Sequence, residues 1–189
     1  MKKSLLVLSI ALLGTLLSSN VMGQAAVAGT TLQNLTLGLP ELSLVSTSAA
    51  TVALLLTATD AGKAVDLSVS DQTARVMFSS VIGLNKPHTM TAKVTSGLVP
   101  AGTTLKLIAL PPNASYVGLP VSYATEATLT STDSNIITNI QSCYTGAVAG
   151  DGFVLKYTWG LDTVGLYSDI RATLVATPIV VTLTLSAGL

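Results

Sequence analysis

One histidine and one cysteine, His88 and Cys143, are the chain's whole supply of imidazole and thiol groups. Nucleophilic catalysis needs a base beside the nucleophile. His88 follows Pro87 at the start of a predicted strand, and no Gly-x-Ser-x-Gly elbow surrounds any serine. We therefore expect His88 to be a surface residue near a turn. The sequence predicts that the protein is not an enzyme, with a hydrolase as the weakest of the alternatives.

The acidic residues do not define a site either. Most aspartates lie in or beside predicted turns, where Asp is favoured for backbone reasons, and no pair stands out by spacing as acid and base. Zinc and copper sites need several His or Cys ligands. Neither Asp133–Asn135 nor the set Asp60, Asp66 and Asp71 has the spacing of a calcium loop. We expect no metal and no cofactor.

The single cysteine excludes a disulfide within the chain. Two interpretations of Cys143 follow. It is either a small buried residue or, in an oxidising compartment, half of a bridge between two chains.

The N-terminus predicts export. Lys2 and Lys3 precede an apolar, Leu-rich run, Ser4–Leu17, and small residues at Val21 and Gly23 suit cleavage before Gln24. The apolar run is too short to span a bilayer as a helix, which needs about 20 residues. The prediction is a signal peptide over residues 1–23, a flexible mature N-terminus over 24–31 and no stable membrane span after cleavage.

Composition limits the partners of the mature chain. Without Lys2 and Lys3 the nine basic residues become seven, against nine acidic ones, which gives a net charge of −2. No basic patch is present, so nucleic acid is not an expected partner. Charged residues make up 10% of the chain, against about 25% in ordinary soluble domains. A surface of this kind is compatible with burial against other copies of the same protein.

Alternation of apolar and polar residues dominates the mature chain, with the period of two that is typical of strands. The clearest runs are Val65–Val69, Met90–Val94, Leu105–Ala109, Phe153–Trp159 and Val181–Leu185. Shorter candidates are Leu35–Leu39, Leu42–Val45, Val52–Thr57, Ala74–Ser79, Ala127–Thr132, Ile136–Ile140 and Arg171–Ala176. The residues expected in the core are Leu67, Leu107, Leu155, Trp159 and Leu183.

Turn signals separate these runs. Val99–Gly102 has Pro and Gly at favoured turn positions, and Gly150–Gly152 predicts a hairpin tip because Asp-Gly tolerates positive φ. No mature segment has helical periodicity. Short strands divided by turns predict one antiparallel domain over residues 32–189. A small outer-membrane barrel is a weaker alternative, since aromatic residues are only 4% of the chain.

One strand face is rich in aromatic residues. Phe153, Leu155, Tyr157 and Trp159 alternate along it. Tyr157 and Trp159 could stack on a sugar, which would make the protein a glycan-binding or surface-binding module. The regular alternation favours the core for the same residues.

Three segments resemble parts of known families. Ile179–Ser186 resembles the last strand of bacterial pilus subunits of the chaperone–usher kind, and the alternating Leu35, Leu37 and Leu39 resemble the donor strand that such subunits insert into a neighbour. Ser142–Trp159 resembles a piece of small exported Gram-negative proteins of undefined role. The resemblance implies an incomplete immunoglobulin-like domain that assembles into fibres. The cysteine pair and the terminal tyrosine common in pilus subunits are absent.

Pro40 divides the N-terminal arm in two. A proline cannot donate to a strand ladder, so it marks an edge, a bulge or a break. One interpretation places both Leu35–Leu39 and Leu42–Val45 in the first strand of the protein's own sandwich. The other leaves Leu35–Leu39 free to pair with an exposed edge on the next copy. The self-contained interpretation is favoured, because domains that complete themselves are the commoner case.

Taken together, the sequence predicts an all-β, antiparallel, immunoglobulin-like sandwich behind a cleaved signal peptide. Export through the periplasm, to the cell surface or the medium, and the absence of a chemical site indicate a structural or adhesive subunit. Its expected partners are other copies of itself or related surface subunits.

Overall fold

The computed structural model describes residues 33, 35–48, 51–66, 68–112, 122–123, 126–148, 150–162, 167–172 and 178–187. The chain divides into two compact units, Met1–Gly38 and Leu39–Leu189. All described strands belong to the second unit. The predicted signal peptide, residues 1–23, and the predicted mature N-terminus, residues 24–31, lie outside the described residues.

Two antiparallel sheets pack face to face, which confirms the predicted all-β sandwich. The first sheet contains β1 (Leu42–Thr47), β2 (Ser68–Asp71), β3 (Arg75–Val81), β5 (Thr103–Leu110), β7 (Ala127–Thr128), β9 (Cys143–Tyr144) and β10 (Phe153–Leu161). The second contains β4 (His88–Ser96), β6 (Ser122–Tyr123), β8 (Ser134–Ile140) and β11 (Val180–Ser186). A single 3-10 turn, Tyr167–Asp169, is described outside the sheets.

Strand order explains which elements lie at the edges. The first sheet runs β1-β3-β10-β5-β7, with β2 also paired to β10 and β9 also paired to β3. The second runs β11-β4-β8-β6. β1 and β11 are therefore edge strands, and they approach each other to within 8 Å between Cα atoms.

The core lies between the sheets. Leu107 and Leu155 are buried as predicted, while Trp159 and Leu183 are half-buried and pack against the core from its margin. Leu67 lies outside the described residues. The rings of Phe78 and Phe153 stack at the centre, with 5.6 Å between their centroids. Alternate residues of each long strand face inward, because successive side chains of a strand point to opposite sides.

The predicted hairpin at Gly150–Gly152 is wrong, although the turn itself exists. β9 and β10 do not pair with each other; each pairs with a different half of β3, so they lie end to end along one edge. The residues between β9 and β10 form a loop outside the ladder. The loop is closed at its base by a hydrogen bond from the Gly152 amide to the Thr145 carbonyl, at 3.1 Å. Gly152 has φ +83°, and a Cβ there would lie 2.3 Å from the Val76 carbonyl oxygen, so the position requires glycine.

Two predicted strands do not form. Leu35–Leu39 and Val52–Thr57 lie outside the ladders, whereas Leu42–Val45 does form part of β1. In the second segment Val52 and Leu54 pack against the core as part of a connection. The apolar alternation in Val52–Thr57 therefore indicates which side chains are buried, although the segment forms no strand. The predicted strand Arg171–Ala176 lies mostly outside the described residues.

Candidate functional site

His88 is fully buried, and the expectation of a surface histidine is wrong. It is the first residue of β4, where His88, Met90 and Ala92 alternate on the inward face. The sequence carried a signal for this placement: the apolar series Met90, Ala92, Val94 extends back by one step to His88. Pro87 comes directly before His88 and is typical of a turn, so the local sequence also favoured a turn at this place.

Three oxygen-bearing side chains surround the ring of His88. The Oγ of Ser80 lies 3.0 Å from Nδ1, and the Oγ of Ser43 lies 3.2 Å from the same nitrogen. On the other side of the ring, Oε1 of Glu41 lies 2.8 Å from Nε2. In the neutral imidazole Nε2–H donates to the carboxylate, so Nδ1 accepts from the serine hydroxyls. We call these four residues the His88 cluster.

The fold brings the His88 cluster together at one edge of the sandwich. Glu41 and Ser43 flank Leu42 and so share one side of the chain. Ser43 lies directly opposite Ser80 in the pairing of β1 with β3. A short crossover, residues 82–87, then carries the chain from the first sheet to the second, where β4 begins at His88. The cluster therefore ties the edge strand β1 to both sheets.

The composition of the cluster matches that of a Ser–His–acid hydrolase, but its geometry favours a structural role. A catalytic imidazole must pass the serine proton on to a leaving group. His88 has 0% of its surface exposed, and the buried Ser80 is nearer to Nδ1 than the exposed Ser43. An outside molecule therefore cannot contact the imidazole ring directly. The same contacts serve well as a fixed link between strands.

The predicted aromatic face lies at the margin of the core. Tyr157 and Trp159 are half-buried on the inward side of β10 and pack against the core cluster. Burial raises the pKa of the Tyr157 phenol. The indole N–H of Trp159 donates to Oγ1 of Thr103 at 3.0 Å. These contacts hold both rings against the sandwich.

The three leucines of the predicted donor arm are the large apolar side chains among the described residues before β1. Leu35, Leu37 and Leu39 are 75%, 84% and 81% exposed. The edge strand that follows is exposed as well, along all six of its residues. A cavity of about 270 Å³ opens beside this strand, between residues 44–46 of β1, residues 77–79 of β3 and residues 146–147.

Cys143 is buried in β9, opposite Ser80. Burial raises the pKa of its thiol. A thiol with a raised pKa forms less of the thiolate that reacts with other thiols. Of the two interpretations left by the sequence, the small buried residue has the structural support.

The chain matches no protein-family model and has no significant match among curated proteins or solved structures. Within the part of the chain that the structure describes, no helix has the length and apolar character needed to cross a membrane. Over the same residues, no group of three or more His, Cys, Asp and Glu side chains is arranged as a metal site.

Proposed function

We propose that this protein is an exported structural subunit that assembles with other copies of itself through its N-terminal segment. The observation that carries this proposal is the exposure of Leu35, Leu37 and Leu39, which alternate as the apolar side of a strand does. Full burial of a leucine stabilises by about 1.5–3 kcal/mol. Three such side chains facing water represent on the order of 5 kcal/mol that burial against a partner would recover.

The edge strand supports the same proposal. Proteins that remain monomeric protect their edge strands with Lys, Pro, bulges or a covering loop. β1 has the sequence Leu-Ser-Leu-Val-Ser-Thr, without a charge or a proline, and it pairs with β3 in unbroken register. Leu44 is 57% exposed on it. An uncharged, apolar edge of this kind is a template for association.

The low content of charged residues also supports self-association. Only 10% of the residues are charged, so copies that approach each other meet little repulsion. The alternative, a glycan-binding face at Tyr157 and Trp159, has less support because both rings pack against the core. The predicted signal peptide, over residues 1–23, would deliver the subunit through the periplasm to the cell surface or the medium.

Deletion of residues 24–39 tests the proposal. If the arm joins copies, the shortened protein folds with unchanged secondary structure by circular dichroism but stays monomeric in size-exclusion chromatography, while the full mature chain forms larger species. Leu98→Ser is the matched control, because this leucine is 88% exposed in the connection between β4 and β5 and far from the arm in sequence. Assembly that is unchanged by the deletion would contradict a role for the arm.

A further inference from the structure

We infer that β1 itself is exchanged between copies, so that Glu41 and Ser43 of one copy bind His88 and Ser80 of another. This inference rests on the proposed function, because it names the strand that would be exchanged when the arm joins two copies. The acceptor is the site that the chain's own β1 occupies, and the partner is a second copy of this chain. Domain swapping of an identical element is a general route to homo-oligomers.

β1 is held by a backbone ladder, by polar side-chain contacts and by partial apolar burial. All six of its residues are exposed, but Leu42 and Val45 have only 37% and 39% of their surface in solvent. The ladder joins β1 to β3, and Glu41 and Ser43 contact His88. Every one of these contacts can be formed again by an identical segment of a second copy.

The site that β1 would vacate is selective. His88 and Ser80 are both buried, and buried polar groups need hydrogen-bond partners. Without β1, Nε2 of His88 loses its carboxylate and Nδ1 loses one of two hydroxyls. Because Ser80 still donates to Nδ1, the strand that fills the site must above all offer a carboxylate to Nε2, on the side that faces the ring. Glu41 of a second copy meets this requirement.

The spacing at the sandwich edge favours replacement of β1 over addition of another strand beside it. Neighbouring strands lie about 4.8 Å apart, so a strand inserted between two others needs them roughly 9.6 Å apart. β1 and β11 already approach to within 8 Å between Cα atoms. An incoming strand at this place therefore has to displace β1.

The connections on both sides of β1 permit the exchange. Twenty residues, 48–67, separate the end of β1 from the start of β2. Fully extended at about 3.3 Å per residue they would span roughly 65 Å, more than the width of a domain of this size, and that extension requires Val52 and Leu54 to leave the core. On the other side, Pro40 separates β1 from Leu35–Leu39, so the exchanged strand would carry the apolar arm with it onto the second copy.

Cysteine cross-linking between differently labelled copies tests the exchange. Leu44 and Ser79 lie directly opposite each other on β1 and β3, at a separation that suits a disulfide. Chains with Leu44→Cys and chains with Ser79→Cys, both also with Cys143→Ala, are produced together, allowed to assemble and oxidised. Exchange predicts disulfide-linked heterodimers. Leu44→Cys paired with Leu98→Cys is the control for random collision, because Leu98 lies in the connection between β4 and β5 and is 88% exposed.

The outcomes separate this inference from the proposed function. Assemblies that form without heterodimers above the collision control would overturn strand exchange and leave self-assembly standing. Under that outcome, a chain with both Leu44→Cys and Ser79→Cys forms only a bond within itself. The absence of any assembly would overturn both proposals. The Cys143→Ala background must assemble as the natural chain does.

A second experiment tests whether the contact between Glu41 and His88 contributes to binding of the incoming strand. Added in excess as a free peptide of residues 41–47, the segment with Glu41→Ala should block heterodimer formation about tenfold less well than the natural peptide, since Nε2 of His88 then lacks its acceptor. The same peptide with Thr47→Ala, at the other end of β1 and away from the ring, should block it as well as the natural peptide. Equal heterodimer yields with the Glu41 and Thr47 variant peptides would show that the ladder alone holds the strand.

Discussion

The two hydroxyls on His88 provide a sharp test of the His88 cluster. Ser80 and Ser43 lie 3.0 Å and 3.2 Å from the same ring nitrogen. Because either hydroxyl alone can satisfy Nδ1, we expect Ser43→Ala and Ser80→Ala each to be mild. The double variant removes both donors and leaves a buried acceptor without a partner.

The expected energies follow from burial. A hydrogen bond with one remaining alternative contributes about 0.5–1.5 kcal/mol net, so each single variant should lower the free energy of unfolding by about 1 kcal/mol or less. A buried polar atom without any partner costs about 1–3 kcal/mol more. In the natural protein the ring of His88 has no exposed surface. The double variant should therefore lose about 1–3 kcal/mol beyond the sum of the two singles.

Urea unfolding followed by Trp159 fluorescence measures these energies, at protein concentrations low enough to keep the chain monomeric. Ser79→Ala is the matched control, because Ser79 lies on the same strand but on the opposite face. Additive losses, within about 0.5 kcal/mol, would refute the shared acceptor and with it the buried placement of His88.

Three further results are expected from unfolding and labelling experiments. Leu155→Ala should lower the free energy of unfolding by about 2–5 kcal/mol, since the side chain is 1% exposed; a loss under about 0.5 kcal/mol would place it outside the core. Gly152→Ala should cost about 3 kcal/mol or more because its Cβ meets the Val76 backbone, whereas Gly150→Ala, also at positive φ but in open space, should cost about 1–2 kcal/mol; equal costs would contradict the close contact. Burial raises the pKa of Cys143 above its ordinary 9.0, so the folded state binds more protons, and stability should fall as pH rises above 9. Cys143→Ala should lessen that fall, and iodoacetamide should label the native thiol slowly at pH 8; rapid labelling would contradict burial.

Local pattern was sufficient to predict the main strands. The runs around Leu107 and Leu155 became long inward-facing strands, because alternation and burial agree wherever a strand has a partner on each side. Val52–Thr57 has the same alternation but joins no ladder. Alternation predicts which side chains face the core; the ladder depends on partners that a single segment does not reveal.

Tertiary pairing decided the remaining features. The Gly150–Gly152 turn was predictable from its residue types, yet the strands on either side of it pair with β3 and not with each other. Within the His88 cluster, Glu41 and Ser43 have the spacing of a strand face, but no local period relates them to Ser80 or His88. Only the pairing of β1 with β3 and the crossover into β4 bring them together, so the site was not predictable before the topology was known.

Sedimentation velocity of the purified mature protein over a range of concentrations tests the central claim most directly. Self-assembly through the N-terminal segment predicts larger species that increase with concentration. It also predicts that Leu35→Ser, Leu37→Ser and Leu39→Ser together leave a folded monomer with an unchanged urea midpoint. A natural chain that sediments as a monomer at every concentration, with no polymer visible by electron microscopy on the cells that export it, would contradict the claim.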